Sequence, residues 1–154
     1  MYSRILVAVD GSEASLSAVR EAMRLAAGQP AAVLRLVMVA EIPTAALTGE
    51  GVNLPDVERT VLDEARDAMA RAKAVVAPSG SEVETATPEA LGMSVAEAIL
   101  DDAREWGAHV IIIGTHGRSG WRRLILGSVA EEVARMADRP VLLVHNPSAT
   151  AKPR

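Results

Sequence analysis

Short aliphatic runs alternate along this chain with longer segments in which apolar residues recur every three or four positions. Continuous aliphatic runs are typical of buried strands, and the longer spacing is typical of amphipathic helices that pack on them. The pattern predicts five strands, at Arg4–Asp10, Ala32–Ala40, Glu82–Thr87, His109–Gly114 and Pro140–His145. The third run is polar and alternating, which favours a position at the edge of a sheet.

Four amphipathic helices are predicted in the segments between these strands. Ser12 can cap the first helix, and Gly28 with Pro30 ends it. A loop at Ile42–Pro55 leads into the second and longest helix, Asp56–Val76, in which one apolar stripe lies opposite charged residues. Each helix therefore offers one apolar face to the strands.

Two Ser-x-x-Glu sequences predict where the remaining helices begin. In such a capping box, the serine and glutamate side chains each satisfy a free backbone N–H at the start of the helix. Ser94 with Glu97 starts the third helix, which Gly107 ends, and Ser128 with Glu131 starts the fourth.

Strands and helices thus alternate along the whole chain, which predicts one α/β domain. Right-handed crossovers between successive strands give a parallel sheet with helices on both faces. We expect this domain to span residues 1–146 and residues 147–154 to form a flexible tail. Sheets of this kind bind ligands at the carboxyl ends of the strands, where the strand order reverses.

Composition narrows the classes of function. Hydrophobic residues make up 49% of the 154 residues, and only three residues are aromatic, which suits aliphatic helices on a parallel sheet. Cysteine is absent, so disulfides, thiol catalysis and cysteine-based zinc sites are excluded. The net charge of −4 argues against nucleic acid or an anionic membrane as partner. With no signal segment and no membrane-length apolar run, we expect a soluble, cytoplasmic protein.

Glycines are concentrated in the segment that follows the fourth strand. Gly114 ends that strand, Gly117 and Gly127 follow it, and Ser128 comes next at the start of a helix. Glycine lets backbone N–H groups approach a ligand without a Cβ in the way, and successive N–H groups in such turns bind anions. A helix N-terminus also favours negative charge. This segment therefore predicts a phosphate site.

The charges of the same segment agree with that prediction. Arg118, Arg122 and Arg123 place three positive charges in one loop of an acidic protein. The turn after the first strand reads DGSEAS rather than the G-x-G-x-x-G of a dehydrogenase, and no loop glycine precedes a lysine as in a P-loop. A phosphoacceptor receiver domain is disfavoured too. Such a domain has paired acidic residues after the first strand and an aspartate after the third, and this sequence has only Asp10.

The spacing G-x2-G-x9-G-[ST], here Gly114, Gly117, Gly127 and Ser128, resembles the ATP-binding motif of universal stress proteins. The segments RILVAVDGS, HVIIIGTHGRSG and GSVAEEVARMADRPVLLV are similar to the most typical segments of that family. The resemblance extends from Arg4 to His145. It implies the ATP-binding branch of the family and a Rossmann-like fold of the adenine nucleotide alpha hydrolase type, with strand order 3-2-1-4-5.

The resemblance also implies which residues bind the ligand, ATP with Mg²⁺ or Mn²⁺. The matching positions are Val9, Asp10, Val39, Gly114, Thr115, His116, Gly117, Arg118, Gly127, Ser128, Val129 and Ala130. Asp10 matches an acidic residue beside the metal and phosphates, and Val39 matches a position whose backbone recognises adenine. Both have a plainer interpretation, since Asp10 can cap the turn before the first helix and Val39 can pack in the core. His116 is interpreted as a loop residue near phosphate, and His109 and His145 as structural residues.

The function expected from this resemblance is that of an ATP-binding regulatory or stress-response module. No catalytic residue is identified, because none can be named that positions water for phosphate hydrolysis, so any ATPase activity is expected to be weak. The apolar strand 140–145 lies at a sheet edge in the implied order, and pairing with a second copy would cover it in a homodimer. The alternatives are a slow ATPase, a binder of another adenine nucleotide such as cyclic AMP, and a dimeric stress protein with no ligand.

Overall fold

The computed structural model describes residues 1–42, 48–49, 51–116 and 126–146. Five strands lie within these residues: β1 (Arg4–Ala8), β2 (Val33–Val37), β3 (Glu82–Ala86), β4 (Val110–Gly114) and β5 (Val141–Val144). Four helices of nine residues or more lie within the same ranges: α1 (Glu13–Ala26), α2 (Leu54–Val76), α3 (Val95–Trp106) and α4 (Ser128–Met136).

The five strands form one parallel sheet in the order β3-β2-β1-β4-β5, which confirms the expected fold class. The register places Ile5 of β1 between Leu34 of β2 and Val110 of β4. From β1 the chain first builds the sheet outward to β3, and then continues on the other side of β1 with β4 and β5. The strand order therefore reverses between β1 and β4, and their carboxyl ends mark the expected ligand position.

Helices cover both faces of the sheet. Neighbouring residues of a strand point to opposite faces, so a continuous apolar strand has side chains to bury on each of them. On one face, Ile5 and Ile112 pack against α1 and α2. On the other face, Leu6 and Ile111 pack against α3 and α4. All four side chains are fully buried, so the β-branched and aliphatic runs of the sequence become the centre of a two-layered core.

One ion pair ties the sheet to a helix. Nε and Nη2 of Arg35 on β2 donate to the two carboxylate oxygens of Asp102 on α3, both at 2.8 Å. The guanidinium carbon of Arg35 also lies 5.6 Å from the centroid of the Trp106 ring. The hydrogen bonds to Asp102 raise the pKa of Arg35, although its partial burial acts in the opposite direction. The pair holds β2 and α3 in a fixed relative position.

The helix and strand bounds differ in part from those predicted. Helix α2 begins at Leu54, two residues earlier than predicted, with Pro55 in its first turn. Proline is tolerated there because the first N–H groups of a helix have no partner within the helix. The predicted loop Ile42–Pro55 therefore ends sooner, and residues 43–47 and 50 of it lie outside the described residues. Each strand is one to four residues shorter than predicted.

One predicted capping box is confirmed and the other is wrong. Ser94 Oγ accepts from the backbone N of Glu97 at 3.1 Å, and the Glu97 carboxylate accepts from the backbone N of Ser94 at 2.7 Å. Helix α4 instead begins after Gly127, whose carbonyl accepts from the backbone N of Glu131 at 2.9 Å. Ser128 is therefore already helical, and its side chain does not occupy the capping position.

The predicted tail, residues 147–154, lies outside the described residues, so the division of the chain at residue 146 stays a prediction. In the part of the chain that the structure describes, no helix combines the length and the apolar character needed to cross a bilayer.

Candidate functional site

A cleft of about 520 Å³ opens at the carboxyl edge of the sheet, where the strand order reverses between β1 and β4. Its walls come from the ends of β1, β2 and β4, the first turn of α4, and residues of α1, α2 and α3. A volume of this size falls in the usual range for small-molecule sites, about 300–1,000 Å³.

The structure brings most of the predicted binding residues together around this cleft. Nine of the twelve line it: Val9, Asp10, Val39, Gly114, His116, Gly127, Ser128, Val129 and Ala130. Thr115 is buried behind the wall, with 1% of its surface exposed. Gly117 and Arg118 lie outside the described residues, as do Arg122 and Arg123. Residues as far apart in the sequence as Val9 and Ala130 therefore meet at one edge of the sheet.

The turn between β1 and α1 is held by its own polar side chains. Asp10 Oδ1 accepts from the backbone N of Ser12 at 2.9 Å, and Ser12 Oγ accepts from the backbone N of Ser15 at 3.1 Å, which confirms Ser12 as the helix cap. Ser12 Oγ also donates to the carbonyl of His116 at 3.5 Å, which joins this turn to the end of β4. Asp10 thus both supports the turn and lines the cleft.

The N-terminus of α4 faces the cleft because its N-cap is held close to the end of β4. The backbone N of Gly127 donates to the carbonyl of Thr115 at 2.6 Å. Ser128, Val129 and Ala130, the first three helical residues, all line the cleft. The first N–H groups of a helix have no acceptor within the helix, and the helix dipole adds partial positive charge there. This wall therefore favours an anionic group.

The peptide groups of Val39 face the cleft. The carbonyl of Val37 accepts from the backbone N of Val9 at 2.8 Å, and the backbone N of Met38 donates to the carbonyl of Ala86 at 3.1 Å. Successive residues of a strand in a parallel sheet direct their backbone groups alternately to the two neighbouring strands. The backbone N–H and C=O of Val39 therefore point toward the β1 side of the sheet. At this level β1 has already ended, and the chain has turned toward α1. The Val39 side chain is buried in the core.

Sequence reasoning missed eleven of the described residues that line the cleft, on the strands as well as on the helices and turns. These are Ala8, Ser12, Ser15, Val37, Met38, Glu41, Val61, Glu64, Val95, Ile99 and Ile113. They give the cleft a mainly apolar wall. The only sequence signal for Val61 was its place on the apolar stripe of α2, which identifies a buried face but not what that face covers.

The charged side chains that line the described part of the cleft are carboxylates. They belong to Asp10, Glu41 and Glu64. Within the described residues, no three or more His, Cys, Asp or Glu side chains are grouped closely enough to hold a metal ion. A cation bound at Asp10 would therefore need further oxygen ligands from water or from a bound molecule.

Thr115 connects the cleft to the end of β5. Its backbone N donates to the carbonyl of Val144 at 3.0 Å. Its Oγ1 lies 3.0 Å from Nδ1 of His116 and 3.0 Å from Nδ1 of His145, and the centroids of the two rings are 6.3 Å apart. His145, interpreted from sequence only as a structural residue at a strand end, is thus hydrogen-bonded to a neighbour of the cleft.

Known proteins resemble this chain over nearly its full length. Residues 1–145 match the Universal stress protein family. Universal stress protein YxiE of Bacillus subtilis is 33% identical over 151 residues, which cover 94% of this chain and 99% of YxiE. The solved structure of protein MJ0577 of Methanocaldococcus jannaschii superposes with a TM-score of 0.81 at 25% identity, over 95% of this chain and 97% of that one.

Two similar proteins have been solved with adenine nucleotides. A universal stress protein from Archaeoglobus fulgidus, in complex with dAMP, has a TM-score of 0.66 at 26% identity and covers 93% of this chain and 98% of its own. A universal stress protein in complex with cAMP has a TM-score of 0.59 at 28% identity, with coverages of 94% and 97%. Since the family match spans residues 1–145 and the curated relative aligns over almost its whole length, this chain belongs to the universal stress protein family.

Proposed function

We propose that this protein is a regulatory module that binds ATP with Mg²⁺ in the cleft at the carboxyl edge of the sheet. One observation carries the proposal: the ends of β1, β2 and β4 and the first turn of α4 converge on a single cleft. The adenine nucleotides of the two ligand-bound relatives support the choice of base. The choice of ATP over a monophosphate rests on the glycine spacing of the sequence and on the three arginines between Gly117 and Gly127.

The phosphates are assigned to the α4 side of the cleft. Gly127 and Ser128 stand at the helix N-terminus, where unpaired N–H groups and the helix dipole stabilise an anion. His116 lines the same cleft from the end of β4. In the sequence, Arg118 belongs to the segment that joins His116 to Gly127.

The adenine base is assigned to the β2 side. The backbone N–H and C=O of Val39 provide one donor and one acceptor side by side, the combination that matches the hydrogen-bonding edge of adenine. Guanine presents the opposite combination at the corresponding atoms. Met38, Val95 and Ile99 add apolar surface for a flat base.

Magnesium is assigned to the region of Asp10. Three carboxylates around a cleft that binds a polyanion would repel it, and a divalent cation removes that repulsion. A carboxylate oxygen suits Mg²⁺, which ordinarily takes one or two protein carboxylates and completes its shell with phosphate oxygens and water. The ion would neutralise phosphate charge; Asp10 would hold it in place.

A homodimer formed through β5 completes the proposal. Ile111 of β4 and Thr115, which follows β4, donate their N–H groups to the carbonyls of Pro140 and Val144. By the alternation of a parallel ladder, the backbone groups of Leu143 point away from β4, at the outer side of the last strand in the sheet order. A second copy of β5, related by a two-fold axis, would pair with them and close the edge.

Two measurements test the nucleotide proposal. Protein purified without added nucleotide is denatured, and any released ligand is identified by chromatography and mass spectrometry; we expect an adenine nucleotide. Isothermal titration calorimetry of nucleotide-free protein should show binding of ATP, weaker binding of GTP, and a loss of ATP affinity when EDTA replaces Mg²⁺. Asp10→Asn should lose most of the Mg²⁺ dependence. Absence of binding to ATP, AMP and cAMP alike would overturn the proposal.

A further inference from the structure

A buried hydroxyl group lies between two histidine rings beside the cleft. Thr115 Oγ1 lies 3.0 Å from Nδ1 of His116 and 3.0 Å from Nδ1 of His145. Thr115 is 1% exposed, and its backbone is held on both sides by hydrogen bonds to Val144 and Gly127. Its hydroxyl is therefore fixed in place, and only the direction of its single proton can change.

A hydroxyl has one proton and two lone pairs, so it cannot donate to both histidines at once. If Thr115 donates to Nδ1 of His116, it can only accept from His145, whose proton must then be on Nδ1. A neutral imidazole carries one N–H, and the tautomer is set by the partner of its nitrogen. His116 would then carry its proton on Nε2. The opposite direction of the hydroxyl proton exchanges the two states.

We propose that Thr115 makes His116 and His145 a reciprocal tautomer pair, in which a ligand in the cleft sets the proton position of His145. The ligand part of this inference rests on the proposed function. A phosphate beside His116 favours the tautomer that presents Nε2–H as a donor. Thr115 then donates to Nδ1 of His116, and His145 must hold its proton on Nδ1, which leaves its Nε2 as an acceptor.

The pair joins the cleft to the exposed residue that follows β5. His116 lines the cleft, whereas His145 is exposed directly after the edge strand β5. Exposure lets the His145 ring exchange its proton with water, so the tautomer can change without any chain movement. Coupling between two sites is reciprocal, and a group that donates to Nε2 of His145 would therefore strengthen phosphate binding in the cleft. His145 acts as a positioning residue, through Thr115.

Nitrogen NMR of the histidine rings tests the pair directly. The chain contains three histidines, and protein labelled with ¹⁵N-histidine shows which ring nitrogen carries the proton; single His→Gln variants assign the signals. The spectra are recorded at pH 8, where histidine is ordinarily neutral. His116 and His145 should be in opposite tautomers without ligand. ATP should then give Nε2–H at His116 and Nδ1–H at His145. His109, which interacts with Ser3 at the other end of the sheet, should not change.

Two variants separate the relay from general packing. Thr115→Val keeps the shape and removes the hydroxyl, so the tautomer of His145 should no longer respond to ATP. Thr115→Ser keeps the hydroxyl and should retain the response. A response that persists in Thr115→Val would overturn the inference, and so would equal tautomers in the ligand-free wild-type protein.

The experiments distinguish failure of the proposed nucleotide binding from failure of the proposed histidine pair. If calorimetry finds no nucleotide binding, the proposed function fails and the ligand step of the pair fails with it, while opposite tautomers in the ligand-free protein would still support the reciprocal arrangement. If ATP binds and the His145 signals do not change, the proposed function stands and the coupling is wrong.

Discussion

Gly114 packs directly against Ala14. An ideal Cβ placed on Gly114 would lie 2.7 Å from the carbonyl carbon of Ala14, 2.8 Å from its carbonyl oxygen and 2.9 Å from its Cβ. The end of β4 and the first turn of α1 thus lie so close together that no side chain fits between them at Gly114. The first glycine of the motif is required by the packing of the fold, whatever it contributes to a ligand.

Gly114→Ala should therefore lower the free energy of unfolding by about 1–3 kcal/mol, the usual cost of overpacking. The double variant with Ala14→Gly should recover only part of the loss, because two of the three close atoms belong to the backbone. Urea denaturation of both variants and the Ala14→Gly single variant measures this. Full stability of Gly114→Ala would show that α1 can move away from β4.

Gly117→Val should abolish ATP binding. A branched side chain at this motif position would fill space that the phosphates need. Gly120→Val is the matched control, because Gly120 belongs to the same segment but not to the G-x2-G-x9-G-[ST] spacing. Calorimetric titration should find ATP affinity lost in the first variant and largely kept in the second. If Gly117→Val bound ATP with wild-type affinity, the assignment of this loop to the phosphate site would be wrong.

ATP with Mg²⁺ should raise the melting temperature, because it binds the native cleft and not the unfolded chain. At 100 times its dissociation constant, a ligand adds about 2.7 kcal/mol to stability, which for a chain of this length corresponds to about 5–10 °C. GTP at equal concentration should give a smaller shift, because the Val39 backbone matches the edge of adenine. Equal shifts with both nucleotides would contradict the assignment of adenine to Val39.

Leu143→Pro should shift the protein from dimer to monomer. The N–H that proline removes points away from the sheet, so the ladder with β4 stays complete, as for proline on natural edge strands. Leu142→Pro is the control, since its N–H faces β4 and its loss should destabilise the fold itself. Light scattering gives the mass, and thermal denaturation gives the stability. A wild-type protein that is monomeric at high micromolar concentration would contradict the dimer.

Asp102→Ala should destabilise the fold more than Glu84→Ala. Both carboxylates pair with Arg35, but Asp102 accepts two hydrogen bonds and its side chain is 11% exposed, whereas that of Glu84 is 45% exposed. Removal of Asp102 leaves a half-buried guanidinium without its main partner and should cost about 1.5–3 kcal/mol, the usual worth of hydrogen bonds to a charged group. Removal of Glu84 should cost less than about 1 kcal/mol. Chemical denaturation at neutral pH compares the two, and equal losses would contradict this ranking.

At the carboxyl edge of the sheet, local sequence patterns predicted some features correctly and could not predict others. The strand runs, the cap at Ser94 and the glycine spacing from Gly114 are short-range features. They identified the elements, and the family resemblance that they carry identified nine of the twenty described residues that line the cleft. The cap of α4 was misplaced by one residue. Its position depends on the bond from Gly127 to the Thr115 carbonyl, a contact across a loop that capping preferences alone do not encode.

By itself, the sequence determined the α/β class and the positions of the five strands, and it predicted a phosphate site after β4, because hydrophobic periodicity and glycine placement act locally. Only the tertiary structure decided that Val61 of α2 and Ile99 of α3 would border the same cleft, and that His145 would share one hydroxyl with His116. Such contacts depend on how each helix sits on the twisted sheet, which is fixed by the packing of both core layers together and not by any single segment.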